Sequence, residues 1–578
     1  LPNPTLDAAG PAAPIDPVTL AVLAGRLEQI VDEMDATLFR AAFNPIIAEA
    51  HDASHGIYDA TTGETLVQGK SGLPIFVGAM AFAVRAVIDL IVAGEASLDP
   101  GDVFIFNDPY AGGTHLSDMR LVKPLFRDGR VFCWLASVGH WHDVGGNVPG
   151  NYNPSATESF QEGFMVPPVK LFRGGEFQGD ILRIMQANSR LPGSLYGDLQ
   201  GQIGALELGE RRLTALLDDQ GDGLIRAALV ELCRRADRLM RAQIAALPDG
   251  TFRARDYLDN DGIVDRPLTV DLALTIAGER MTLDFAGTSA ACAGPVNISR
   301  ATTVAACYVA LKHVFQEVPA NAGVLRAVDI LIPADSMLAV TAPKPVGGYT
   351  ETILRLIDCV FQALAEAAPE RSNGCAYGTI NALSIAGYYS DGPARGRRWV
   401  MFSFFGGGHG GHPEGDGLNH GNAPISTATI PPVEILEAAY PVMFTQWALR
   451  PDSGGPGRHR GGLGAIYEIE LLEDSAEAFL FGERARFAPQ GVVGGGPAAM
   501  SRFTYPDGAG GTRQPPLGSK IVAVALKRGD RVRLETPGGG GYGPAGERDP
   551  AAIARDLRLG YVTAPSPAAP SPTGEPTT

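Results

Sequence analysis

Glycine crowds this chain in short runs, and the fold must find a use for each. The densest are FFGGGHGGHPEGDGLNHGN, beginning at Phe404, then Asp452-Ser453-Gly454-Gly455-Pro456-Gly457 with Arg460-Gly461-Gly462, and Gly538–Gly541 followed by Tyr542-Gly543. Of 578 residues, 72 are glycine and 44 proline, about a fifth of the chain against roughly 12% in average proteins. Yet 45% of the residues are hydrophobic, too many for a disordered low-complexity chain. The excess therefore predicts tight turns and glycine loops inside a large folded body.

The length gives a prior of about four domains of roughly 150 residues. A net charge of −17 argues against a protein whose main task is to neutralise nucleic-acid phosphates, and it offers no polybasic footing for an anionic membrane. The six cysteines include no C-x-x-C pair, so they are expected as small buried hydrophobes in a reducing, cytoplasmic compartment. The opening LPNPTLDAAGPAAP lacks the basic region and apolar run of a signal peptide. The most apolar stretch, Gly72–Gly94, carries Arg85 and Asp89 one helical turn apart, which predicts a buried helix rather than a membrane span.

Periodicity predicts a mixed α/β (α+β) body. Asp16-Pro17 caps a helix whose apolar face is Leu20, Leu23, Leu27, Ile30, Met34 and Leu38, ending before Asn44-Pro45. A hairpin around Thr62-Gly63 follows, then a helix over about 77–91. GDVFIF, RLVKPLF and RVFCWLASVGHW read as strands, the last two joined at Arg127-Asp128-Gly129. Residues 200–247 read as helical with a break at Gly221-Asp222-Gly223. Beyond about residue 250 the pattern turns to strands, with one helix expected at about 352–367 and a short one at about 550–559. The organisation expected is a disordered segment 1–15, an α/β domain 16–250, a β-rich domain 251–545 with glycine-rich loops, and a short helix with a disordered Pro-rich tail, 546–578.

The densest polar cluster is NDPYAGGTHLSDMR followed by SVGHWHDVGGN. His115 and Asp118 stand three apart in a glycine loop, and His140 ends a strand that a hairpin returns toward them. Imidazoles and carboxylates suit a divalent ion of intermediate hardness, and three protein ligands leave positions open, as catalytic metal sites do. Asp52, in His51-Asp52-Ala53-Ser54-His55, is a candidate fourth ligand. A hydrogen-bonded loop is the competing reading of a His–Asp pair. Strand alternation sets His140 and His142 on one face and Asp143 on the other, so Asp143 joins them only if the strand ends there, as Gly145-Gly146 implies. His409, His412 and His420, with Glu414 and Asp416, read as a substrate loop or second ion site, or more plainly as a flexible polar loop.

No nucleotide site emerges. Gly69-Lys70-Ser71 ends like a phosphate-binding P-loop, but position 64 is Glu where that loop needs Gly, and Pro74 disfavours a helix directly after Ser71. Gly538–Gly541 follows a strand but opens no helix. There is no G-x-S-x-G elbow, and Cys133 lies seven residues from His140.

The string Asn107-Asp108-Pro109-Tyr110-Ala111-Gly112-Gly113-Thr114-His115, with Asp118, resembles the signature of the hydantoinase B/oxoprolinase family. So do His140-Trp141-His142-Asp143 with Gly145-Gly146, Glu162-Gly163, Asp284-Phe285-Ala286-Gly287-Thr288, the 452–462 loop and Thr536–Gly543. The likeness covers about residues 16–562. It implies a B-type subunit of an ATP-dependent cyclic amidase acting on hydantoin, 5-oxoproline or a lactam. An A-type, actin-like ATP-binding partner subunit would phosphorylate the substrate carbonyl, in a hetero-oligomer with no nucleic acid or membrane partner. It further implies metal ligands at His115, Asp118 and His140, with Asp52, and a Zn, Mn, Fe or Co ion. Asp143 or Glu162 would be the catalytic base of a metal-assisted hydrolysis, with orientation of His140 as the rival role for Asp143. Where the family often reads Arg-x-Asp-x-Ser, this chain has Ala50-His51-Asp52-Ala53-Ser54. The acetone carboxylase alpha subunits are similar, so ketone carboxylation is the rival chemistry, although this chain is short for that group. A non-catalytic scaffold subunit is the third reading.

Overall fold

A computed structural model describes residues 15–564 except Thr427. The expectations for the N-terminal segment and for the Pro-rich tail therefore lie almost wholly outside the described residues. The fold is mixed α and β, as the periodicity predicts.

The first sheet has seven strands, in the order Thr65–Gln68, Ala53–Asp59, Arg130–His140, Asp118–Arg127, Val103–Phe106, Val169–Arg173, Glu176–Phe177. All its pairings are antiparallel. Helices cover both faces, so Arg130–His140 is buried at every position after Arg130; a strand packed on both sides has no reason to alternate. On one face lie the helices Pro17–Ala41 and Pro192–Gln220, whose leucines share a core with Ile57, Leu121 and Leu135. Asp16 caps the first of these, accepting from Thr19 N, with Pro17 at the first helical position. On the other face lies Pro74–Val92, the long apolar helix. Its Ile75, Phe76, Met80, Val84 and Val87 are buried against the sheet and a second helix, Arg300–Val314. Arg85 and Asp89 form an i,i+4 ion pair on its outer side, 2.7 Å apart. Pro74 is the first residue of that helix rather than an obstacle to it, since its ring fixes the φ a first helical turn needs and its missing N–H has no partner to lose there.

The second sheet, Val328–Leu331, Arg280–Asp284, Leu268–Ala277, Gly250–Leu258, carries the helix Tyr349–Ala367 on one face. Leu268–Ala277 alternates buried and half-buried positions, as a one-sided strand should. The remaining strands form a four-stranded and a five-stranded sheet that share a core around Leu383, Trp399, Tyr467, Phe503 and Leu534. The largest core joins residues from both sides of position 250, among them Phe76, Trp134, Leu272 and Ile353.

Two helices in the second half, Arg300–Val314 and Val433–Ala439, correct the expectation of a single long one. ATTVAACYVALKHV is buried almost all round, so it shows no apolar stripe to read. The strands Ala382–Tyr388, Val442–Leu449 and Arg502–Pro506 also went unread.

The glycine runs of the second half pack against one another, backbone to backbone. A Cβ on Gly461 would stand 1.7 Å from Gly539 O, and one on Gly539 1.9 Å from His409 O. Backbone hydrogen bonds stitch the segments of this knot: Gly539 N donates to Gly462 O at 3.0 Å, Gly462 N to His409 O at 2.7 Å and Gly411 N to Gly540 O at 2.8 Å.

Candidate metal centre

Asp118 opens one strand and His140 closes its neighbour, and the register pairs them directly. Cross-strand partners share a face about 5 Å apart, so the hairpin alone brings these two side chains together. His115 lies in the loop before Asp118. That loop turns back on itself, with Asp118 N donating to His115 O at 3.2 Å and Ser117 N to His115 Nδ1 at 3.0 Å. The result is convergence: His115 Nε2 is 3.5 Å and His140 Nδ1 3.4 Å from Asp118 Oδ1. One donor atom from each of the three residues lies within 4.8 Å of the others.

All three are buried, at 3%, 0% and 2% exposure. His115 Nε2, Asp118 Oδ1 and His140 Nε2 have no hydrogen-bond partner. Buried polar atoms normally find one; on His115 and Asp118 the unpartnered atoms are the same ones that converge, which suits a cation held between them. The other carboxylate oxygen of Asp118 accepts from Thr114 Oγ1. Arg120 grips the same turn, donating to Asp118 O at 2.8 Å and Thr114 Oγ1 at 2.7 Å. Asp118 is thus oriented with Oδ1 toward the two rings. Asp52 stands next to them, Oδ2 4.0 Å from His140 Nδ1 and Oδ1 unpartnered, while its carbonyl accepts from His140 N at 3.0 Å.

Burial would raise the Asp118 carboxyl, but His115, His140 and Arg120 outweigh it and hold it at about 2. Burial pulls His115 down to about 3, which keeps a ring lone pair available at neutral pH. His140 is raised, because Asp118 and Asp52 overcome burial. Burial and the Asp118 charge push Asp52 up to about 7, against the attraction of His140. Two imidazoles, one ionised carboxylate and a second carboxyl at the rim fit a divalent transition metal. Aromatic rings wall the cluster: Tyr349 lies 4.9 Å from His115, Phe402 is stacked 5.6 Å from His140, and Tyr152 stands 5.5 Å from His115.

The other candidates fall elsewhere. The strand does end at His140, but Asp143 is turned to Arg190, whose Nη1 is 2.9 Å from its Oδ2, while its Oδ1 accepts from Gly145 N and Arg190 N. Glu162 accepts from Val346 N at 3.0 Å and Gly347 N at 2.7 Å, just before Tyr349. Neither belongs to the converging group. His51 stacks on Phe39, and His55 pairs with Asp35 at 2.7 Å. His409 and His420 are engaged by Asn422 O and Tyr467 Oη inside the glycine knot, and among the described residues that region gathers no metal-ligand group. Cys133 pairs across the sheet with Leu125, near the turn end of its strand and away from His140, and burial pushes its thiol up. Ala50, where the resemblance expects Arg, is fully buried, and its carbonyl accepts from Thr429 N. Sequence reasoning missed Tyr152, Tyr349 and Phe402. Of these, only Tyr349, beside Gly347-Gly348, had a visible signal.

Comparison with known proteins places the chain in a family. The chain matches the hydantoinase B/oxoprolinase family over residues 16–545. It is 31% identical to the caprolactamase subunit beta of Pseudomonas jessenii over 571 residues, covering 95% of this chain and 94% of that one. The crystal structure of the ATP-dependent caprolactamase from Pseudomonas jessenii superposes with a TM-score of 0.84 at 30% identity, over 95% of each chain. Nucleotide-free acetone carboxylase shares the fold, with a TM-score of 0.87 at 20% identity, over 97% of this chain and 79% of that one. A family match across nearly all the described residues, together with a relative of the same length, leaves one conclusion: this chain belongs to the hydantoinase B/oxoprolinase family.

Proposed function

We propose that this chain is the B-type subunit of an ATP-dependent cyclic amidase. It completes hydrolysis of a hydantoin, 5-oxoproline or lactam whose carbonyl an A-type, actin-like partner subunit has phosphorylated. The observation that carries the reading is the convergence of His115 Nε2, Asp118 Oδ1 and His140 Nδ1, all three residues buried. The family match and the likeness to a caprolactamase subunit support the amidase class. The sequence carries no recognisable phosphate-binding loop motif, which fits ATP use by the partner.

His115, Asp118 and His140, with Asp52 as fourth ligand, would hold a Zn, Mn, Fe or Co ion, which supplies Lewis acidity and lowers the pKa of water toward neutrality. Thr114 and Arg120 fix the direction of the Asp118 carboxylate. Tyr152, Tyr349 and Phe402 exclude bulk water, so the charges inside act at low dielectric. Asp143 and Glu162, expected as bases, each accept from backbone N–H groups, Asp143 from Gly145 N and Glu162 from Gly347 N, which favours a positioning role for both. Phosphorylation leaves the amide carbon electrophilic; water then opens the C–N bond, two waters being consumed in all to give the open-chain carboxylate, the freed nitrogen and inorganic phosphate, so what this subunit must provide is an oriented site that admits those waters and excludes bulk solvent.

The test is His115→Ala and Asp118→Ala in the assembled complex. Both should lose bound metal and ATP-dependent amidase activity while still folding; full metal retention would sink the site. Hydantoin, 5-oxoproline, caprolactam, and acetone with bicarbonate, each with ATP, separate amidase from carboxylase. Full activity in a metal-free complex would return the chain to a scaffold role.

A further inference from the structure

Helix Pro192–Gln220 carries glycines where a helix former would do better, each costing about 1 kcal/mol relative to Ala. Two of them explain themselves by contact. A Cβ on Gly197 would lie 2.3 Å from the Phe43 ring, and one on Gly201 2.9 Å from Leu38. They let the helix settle tightly against the first helix and the loop after it. The residue following each glycine is polar and completely buried: Asp198 and Gln202, both 0% exposed. Four apart, they share one helix face.

That face meets the back of the metal-bearing hairpin. Side chains alternate along a strand, and the position of a Cβ on Gly139 faces Ile47 and Gln202; His140 therefore points to the opposite side of the sheet. Gln202 reaches both strands from behind. Its Nε2 donates to Met119 O at 3.0 Å and Ser137 Oγ at 3.2 Å, and its Oε1 accepts from Trp141 Nε1 at 2.9 Å. Met119 follows Asp118 and Trp141 follows His140. One amide thus links the neighbours of two of the clustered residues, with both its N–H donors used. Asp198 acts on the same end through an intermediary. Its carboxylate accepts from Phe43 N at 2.9 Å and Asn44 N at 3.1 Å, and Asn44 Nδ2 donates to His140 O at 2.8 Å.

The Asp118–His140 pair closes its ladder, where a hairpin with nothing behind it would fray. We infer that Gln202, with Asp198 one turn before it, is a positioning residue that sets the separation of Asp118 and His140 and with it the affinity of the metal centre. The inference rests on the metal reading above. Outer partners of this kind typically change metal affinity by about 10–100-fold when removed.

The experiment uses the full chain loaded with cobalt(II), its affinity measured by chelator competition and its ligand field by visible absorption. Gln202→Met should weaken binding by about 10–100-fold and alter the cobalt spectrum. Trp141→Phe, which keeps the core ring and loses one bond, should weaken it less. Gln202→Glu, which keeps an acceptor for Trp141 but loses the donors, should fall between. A purely structural brace would lower the melting temperature and leave the cobalt spectrum as it was. If the wild type binds cobalt and all the folded variants bind it equally with the same spectrum, the inference fails and the metal reading stands. If Gln202→Met does not fold, unchanged affinity in the other two overturns it. If the wild type binds no cobalt, the metal reading falls and takes this inference with it.

Discussion

Replacing Glu162 decides between a base and an anchor. Its carboxylate is 2% exposed and takes two backbone donors, Val346 N and Gly347 N. Those residues lead through Gly348 into Tyr349, whose ring faces His115. Glu162→Ala leaves two buried N–H groups without partners, each costing about 1–3 kcal/mol, so the loss is about 2–6 kcal/mol. Glu162→Gln keeps one acceptor and turns an amide NH₂ toward the other N–H, for about 1–3 kcal/mol. The graded loss should appear in thermal unfolding and, more locally, in amide hydrogen exchange over 346–349. Proton linkage adds a second signature. Burial pushes Glu162 from its ordinary 4.5 up to about 8, against the pull of the two N–H groups. The native state then binds more protons than the unfolded one between those values, so stability falls as pH rises through that window. Glu162→Gln removes this slope, flattening the profile by up to about 1.4 kcal/mol per pH unit. Equal stability and exchange in wild type and both variants, with kcat lost by the same factor in each variant, would refute the anchor and restore the base.

Two further outcomes follow from burial and backbone contact. Burial pulls His142 from 6.5 down to about 4; the unfolded chain binds more protons in that window, so stability drops as pH falls below 6.5. In chelator-treated protein, His142→Gln should make the acid limb shallower by up to about 1.4 kcal/mol per pH unit, and identical limbs from pH 4.5 to 7 would show the ring is not so placed. Gly461→Ala sets a Cβ 1.7 Å from a backbone oxygen that no rotamer can move. It should cost about 3 kcal/mol or more of stability, whereas Gly546→Ala, with nothing within 4 Å, should shift stability by less than about 0.5 kcal/mol; equal melting temperatures for the two would contradict the packed knot.

Local periodicity was legible over long elements buried on one side only; Arg502–Pro506 is one-sided too, but five residues are too few to show it. The first helix shows its stripe because Val18 and Val22 face outward while Leu20, Leu23 and Leu27 face the core. Arg300–Val314 lacked that contrast, since its small and β-branched residues are buried nearly all round. The glycine runs announced close approach but not what approaches. Gly112 does press on backbone near the His115 loop, where a Cβ would stand 2.4 Å from Ala83 N. The larger runs after residue 400 serve one another, a partnership between segments far apart in sequence that no local window can display. Asp143 and Glu162 stood inside the signature strings for a similar reason. They hold the turns that shape the site, and a string records proximity in sequence rather than the direction a side chain takes.

His140 itself shows where sequence stops. Counting outward from the turn at Asp128-Gly129, Arg127 pairs with Arg130 and Phe126 with Val131. Continued without interruption, that count sets Gly139 opposite Asp118 and turns His140 to the back of the sheet, since a one-residue slip exchanges the faces of a strand. The ladder instead shifts between Leu125 and Phe126, so that Leu125 pairs with Cys133 and Phe132 is left over as a bulge. From there to the strand end Asp118 meets His140. A bulge of one residue near the turn thus selects which side chain faces His115 about eight residues away, and bulges are placed next to functional sites often enough to be treated as built features. The spacing of His115, Asp118 and His140 was readable; that they share a face depends on Phe132, which bears no mark of it in the sequence.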